Sequence, residues 1–318
     1  MNFKDLARVL RPSNLLIILI TQLLCWFCLI KPLAGFLDQD FFLDFNNALL
    51  LAIGTALIAG AGYIINDYFD VKIDAINRPE KSLIGKDINP RTAILLHNFC
   101  NIAGLGIMAY LSYQLQNPKA LIIPIICTIL LWFYSTHFKR QFMIGNIVVS
   151  LLTALSLIIL IAFEPLPQHF LGNPFPTNNL GIVKLNPVWI LLTYSGFAFL
   201  LNWIREIVKD MEDFKGDAED GCITMPIKIG LQKTTQFAQL LLAITTILLA
   251  VIAVLLIQKG WWAPSIYMIV TLAVPLTLIF MKIGKKTTSV HYAFYSKMLK
   301  IVMVLGIATL VFFYLYQY

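Results

Sequence analysis

Charge is what this chain has least of. Only 13% of its 318 residues are Asp, Glu, Lys or Arg, against 59% that are hydrophobic, which is too little polar surface to clothe a water-soluble domain. Histidine is scarce too: His97, His137, His169 and His291 are scattered, and His137, at an expected inner helix end, has no Cys or His partner at ligand spacing. We read all four as structural or interfacial, and no Ser-His-Asp set or haem motif is evident. The five cysteines fall mostly within apolar runs. Cys25-Trp26-Phe27-Cys28 has CxxC spacing but no βαβ context, so ordinary apolar packing is expected there, and no disulfide framework. Residues 1–13 are basic, yet the run after them lacks a small-residue cleavage site, and it is expected to stay as a helix.

What the chain does have is long apolar runs. Stretches near the roughly 20 residues that cross a bilayer as helix occur at about 14–30, 47–65, 92–114, 120–136, 143–163, 187–204, 237–257, 262–281 and 293–316. The expected fold is therefore all-α, a polytopic bundle of nine transmembrane helices in a single membrane-embedded domain, residues 1–318. Basic residues support the count. With the N-terminus cytoplasmic, every Lys and Arg of the 24 falls on the inner side except Lys31, Lys119, Lys184 and Lys259, as the positive-inside rule requires. The net charge of +7 then reads as topology and attraction to membrane lipids, with no basic stripe for nucleic acid. An inner-membrane protein with its active site facing the cytoplasm is the expectation.

Two inner loops, about 66–91 and 205–236, are long and hold most of the acidic residues. Asp67, Asp70 and Asp74 share the spacing i, i+3, i+7 with Asp210, Asp213 and Asp217, and on a helix such positions line one face. Each set extends a membrane helix inward as an acidic stripe, which hints at an internal duplication. Like charges at that spacing repel, so two such sets at one membrane face call for a cation. A hard divalent ion, Mg2+ above all, takes one or two carboxylates and completes its shell with water and substrate phosphate. Asn66 could add an amide oxygen, and Lys72, Arg78, Lys139, Arg140, Arg205 and Lys209, expected close to the stripes at the same membrane face, could hold phosphate oxygens.

Asn66-Asp67-Tyr68-Phe69-Asp70-Val71-Lys72-Ile73-Asp74 resembles the NDxxDxxxD signature of the UbiA-type membrane prenyltransferases, and Asp213-Phe214-Lys215-Gly216-Asp217 resembles their second DxxxD signature. Arg11-Pro12-Ser13-Asn14, Tyr134-Ser135 before Lys139-Arg140, and Gly145-Asn146 are similar as well, so the likeness covers essentially the whole chain. The run Arg205 to Asp213, with Asn77-Arg78-Pro79, looks most like the branch that attaches a second geranylgeranyl chain to a glycerol phosphate ether.

The resemblance implies transfer of a prenyl group from a prenyl diphosphate to a lipid or aromatic acceptor, with Mg2+ as cofactor. It implies Asn66, Asp67 and Asp70 on one ion and Asp213 and Asp217 on another. Asp74 and Asp210 would stand behind them and orient basic residues. Arg11, Asn14, Lys139 and Arg140 would bind diphosphate oxygens, with Arg78 also near the substrates, and Arg205 and Lys209 would take the acceptor's phosphate. Tyr134 is the aromatic expected beside the allylic cation. Within the enzyme class the rival is an aromatic prenyltransferase of quinone biosynthesis. Outside it the rival is a cation transporter, which would require carboxylates at midplane depth in several spans.

Overall fold

The computed structural model describes residues 8–32, 41–71, 73–74, 83–164, 186–285 and 288–317. Nine helical stretches among them are long and apolar enough to cross a bilayer: Pro12–Ile30, Phe45–Phe69, Pro90–Gln114, Pro118–Thr136, Ile144–Phe163, Pro187–Glu212, Leu231–Gln258, Trp262–Lys282 and Ser289–Tyr316. Each coincides with an expected span, so the all-α reading stands. Several reach further than hydropathy marked, because polar end turns such as 205–212 keep their helical hydrogen bonds. The described residues hold no strand, only an isolated bridge between Ile84 and Ile88.

We number the helices α1 (Pro12–Cys25, continued by a π-helical turn over Trp26–Ile30), α2 (Phe45–Phe69), α3 (Pro90–Gln114), α4 (Ile122–Thr136), α5 (Ile144–Phe163), α6 (Pro187–Glu212), α7 (Phe214–Glu219), α8 (Met225–Ile229), α9 (Leu231–Gln258), α10 (Trp262–Met268), α11 (Val274–Lys282) and α12 (Ser289–Gln317). The chain divides into two compact units, Met1–Phe138 with Ala154–Ser195, and Lys139–Thr153 with Gly196–Tyr318.

In the first unit α2 packs against α1, α3 and α4. Asp44 caps it, accepting from the Asn47 N–H at 2.8 Å, and Pro12 and Pro90 sit in the first turns of α1 and α3, where a missing N–H costs nothing. A methyl group added at Gly104 would lie 3.0 Å from the Gly54 carbonyl oxygen and 2.9 Å from Ile58 Cγ1. These two glycines therefore let the backbones of α2 and α3 touch, the contact that drives helix association where lipid removes the hydrophobic incentive. Gly106, two residues on and so on the opposite side of the helix, faces open space. Gln22 of α1 donates to Thr55 of α2 at 3.1 Å inside the span, a polar link of the same kind. The return segment of the first acidic loop is pinned by Ile84 and Ile88, which are buried with Val9, Ala61, Ile64, Ala93 and Cys100.

In the second unit α9 packs on α10 and α11, and α12 packs on α10 and α11. Trp261, at the turn before α10, meets Phe313 of α12 with ring centroids 5.8 Å apart. Outward positions are apolar throughout: Leu95, Phe99 and Ile102 on α3, Ile125 and Ile129 on α4, and Ile247, Val251 and Val254 on α9 are all exposed. Such a surface suits hydrocarbon and not water.

The glycine contact yields a test. Gly104→Ala should lower the stability of the detergent-solubilised protein by about 1–3 kcal/mol through overpacking, whereas Gly106→Ala should leave its melting temperature unchanged or slightly raised. Equal melting temperatures for the two variants would rule out the tight crossing.

Candidate active site

At the C-terminal end of α2 the helix does not run on as a straight stripe. It ends at Phe69, and Asp70 sits at φ −91°, ψ 0°, in the sparsely used bridge region. The Asp74 N–H then donates to the Asp70 carbonyl at 2.8 Å. The same break recurs in the second set, where α6 ends at Glu212 and Asp213 adopts φ −91°, ψ 7° before α7 begins. The expectation of three carboxylates on one unbroken helical face is thus corrected in both loops. The middle Asp of each set turns the chain.

Asp67 is answered from the start of α1. Arg11 takes the left-handed conformation, φ 52° and ψ 62°, directly before Pro12, and its Nη2 donates to Asp67 Oδ1 at 2.5 Å. The guanidinium lies 5.1 Å from the centre of the Tyr63 ring. Burial opposes its charge, but Asp67, Tyr63 and Asp74 outweigh that and raise its pKa. Asn66 donates through Nδ2 to Asp70 Oδ2 at 2.7 Å, while its own Oδ1 is buried and accepts no hydrogen bond from the protein. Asn14 lies in the first turn of α1, its N–H donating to the Arg11 carbonyl at 2.8 Å. Tyr134 is half-buried on the last turn of α4. Lys72 and Arg78 lie outside the described residues.

The second unit repeats the pattern with a neutral partner. Asn146, near the start of α5, donates to Asp210 Oδ2 at 2.8 Å. The residue that opens α5, Met143, is again left-handed at φ 61°. Asp217 has its carboxyl pKa pushed up to about 7, first by burial and then by Asp213, with Lys139 and Lys209 only partly offsetting them. Lys139 therefore stands within electrostatic reach of the acidic pair. Its neighbour Arg140, expected from sequence to bind diphosphate, pairs with Asp220 at 2.8 Å. The Arg140 carbonyl also accepts from the Ile223 N–H at 2.8 Å. Arg205 and Lys209 both contact Glu206, a residue absent from the sequence-based set. The Gly145-Asn146 pair and Asp210 were each visible in the sequence, but their pairing was not.

Among the described residues no group of three or more His, Cys, Asp or Glu side chains forms a closed metal cage. Pairs of carboxylates with a spare amide oxygen fit Mg2+ better, since that ion keeps waters and takes substrate phosphate for the rest of its shell. The buried Asn66 Oδ1 with no donor is the observation that makes the fit, because an orphaned acceptor at this depth is costly without a ligand. Carboxylates within the nine spans are Asp67 at the end of α2 and Glu206, Asp210 and Glu212 in the last two turns of α6. None lies at midplane depth, as an ion path through the membrane would need.

Known proteins resemble this chain over most of its length. The sequence profile of the UbiA prenyltransferase family matches residues 24–304. A digeranylgeranylglyceryl phosphate synthase of Saccharolobus solfataricus is 30% identical over 248 residues, which cover 77% of this chain and 78% of that one. A solved structure of digeranylgeranylglyceryl phosphate synthase in membranes is 26% identical, with a TM-score of 0.61 over 97% of this chain and 98% of its own. The fold is also that of a UbiA homologue from Archaeoglobus fulgidus bound to GPP and Mg2+, at TM-score 0.58 and 16% identity over 96% of this chain and 99% of that one. A profile match running from the last turn of α1 to the middle of α12, across both acidic loops, makes this chain a member of the UbiA prenyltransferase family.

Proposed function

We propose that this prenyltransferase moves a geranylgeranyl group from its diphosphate to the free hydroxyl of geranylgeranylglyceryl phosphate, releasing diphosphate. The observation that carries the reading is the cationic pair Arg205 and Lys209, held on α6 one to two turns before Asp213. An acceptor with its own phosphate uses such a pair; an aromatic acid leaves most of it idle. The likeness to synthases of this specificity supports the same choice.

Asn66, Asp67 and Asp70 would hold one Mg2+, and Asp213 and Asp217 another. When bound, the ions supply positive charge that stabilises diphosphate as a leaving group. Arg11 and Lys139 bind diphosphate oxygens and add to that stabilisation. Arg11 can do so while paired with Asp67, because a guanidinium carries five donors. Arg140, tied to Asp220, holds the α4–α5 turn against the second loop and so fixes where Lys139 stands. Tyr134 presents its ring to the allylic carbon, and the apolar walls keep out water that would trap it. As the carbon–oxygen bond to diphosphate breaks, a carbon–oxygen bond to the acceptor hydroxyl forms, and the hydroxyl gives up its proton. Asp74 and Asp210 orient Arg11 and Asn146. The active site faces the cytoplasm from a cell's inner membrane, in keeping with the basic inner segments.

Membranes containing the protein, given labelled geranylgeranyl diphosphate with either geranylgeranylglyceryl phosphate or a hydroxylated aromatic acid, should form labelled digeranylgeranylglyceryl phosphate from the first alone. A prenylated aromatic product would establish the rival specificity. Chelation with EDTA should stop transfer and added Mg2+ should restore it; activity that persists in EDTA would remove the metal from the reading. Asp67→Ala, Asp70→Ala, Asp213→Ala and Asp217→Ala should each cut turnover by about 100-fold or more without loss of membrane insertion. Near-normal turnover in two of the four would overturn the assignment.

A further inference from the structure

Glu206 is the most fully buried acidic side chain on α6, at 7% exposure, and both of its oxygens are engaged. Arg205 Nη1 donates to Oε1 at 2.7 Å, and Lys209 Nζ donates to Oε2 at 3.1 Å. The carboxylate therefore holds two neighbouring cations in one fixed arrangement, and the trio keeps a net charge of one positive. It does so without consuming their donors. Arg205 Nε is buried and meets no acceptor in the protein, which leaves the side-on fork of that guanidinium, Nε with Nη2, open to a planar or tetrahedral oxyanion. Lys209 has three ammonium protons and gives one to Glu206.

A guanidinium nitrogen this deep with no acceptor is costly, and an oxyanion arriving from outside would relieve it. Without Glu206, Arg205 and Lys209 would repel one another and sample many rotamers, and binding would have to order both side chains. With it, the receptor is ordered before the ligand arrives. Arg205 is suited to this because a fork fixed at one nitrogen leaves the opposite edge rigidly aimed.

We propose that Glu206 is a positioning residue that sets acceptor specificity: it aims the Arg205 fork and Lys209 at a phosphomonoester on the acceptor, and discriminates against the same lipid without its phosphate. The inference rests on the reading of the acceptor as a glycerophosphate ether. Glu206 itself need touch neither substrate.

The test compares equilibrium binding of geranylgeranylglyceryl phosphate and of its dephosphorylated alcohol to purified enzyme in detergent, without donor or metal. Wild type should prefer the phosphate form strongly, and Glu206→Gln should shrink that preference about tenfold. In assays of transfer, the same variant should raise KM for the acceptor while KM for geranylgeranyl diphosphate stays within about twofold. Glu206→Asp keeps the charge but is one methylene too short to reach both cations, so it should lower the preference as well, and it serves if the Gln variant does not fold. An undiminished preference in whichever variant folds, or tighter binding of the phosphate form once the carboxylate is removed, would overturn the proposal. Failure of wild type to prefer the phosphate form at all would instead overturn the acceptor reading on which it stands.

Discussion

Carboxylates at the edge of a hydrocarbon layer lose much of their hydration, and each must be answered by a cation or a hydrogen-bond donor close at hand. The C-terminal ends of α2 and α6 are organised around that requirement. Asp67 draws Arg11 to it and thereby fixes how the chain enters α1. Asp210 draws Asn146 and fixes the start of α5. Glu206 takes up two cations at once. What the protein leaves only partly answered, the Asn66 amide oxygen and the Asp213–Asp217 pair, are the places where a divalent ion would finish the work.

The two acidic sets are alike in ways their sequences barely display. In each, the middle Asp interrupts the helix at nearly the same backbone angles. In each, the first Asp is met by a side chain at the start of another helix, and that helix begins after a left-handed residue, Arg11 or Met143, three positions before an Asn. The two sets differ in chemistry: an ionic partner closes one, a neutral amide the other.

How much of this could be read in advance follows from which forces are local. Spans were legible because twenty consecutive apolar residues have few alternatives to a membrane helix. Their ends were drawn short, since 205–212 is polar by composition yet remains helical under the hydrogen bonds of its own turn. The breaks at Asp70 and Asp213 were not legible, because both residues are compatible with helix and the turn is set by what packs around them. Partner choice was the least visible of all. Lys139 and Arg140 are adjacent and similar, and only the folded position of Asp220 separates a residue near the acidic pair from one tied to the loop. Glu206 was hidden in plain sight within a run of alternating charges, where a surface helix would show the same letters.

Arg11 carries a lesson about the limits of improving such a protein. A non-glycine residue in the left-handed region gives up roughly 1–2 kcal/mol, and here it does so at the mouth of α1 in front of Pro12. Glycine would relax the backbone there but leave Asp67 without its cation, and stranding that carboxylate at least offsets the strain relieved. A screen that rewarded heat resistance alone would therefore keep the strained residue: the ion pair holds the main chain in a conformation it would not adopt by itself.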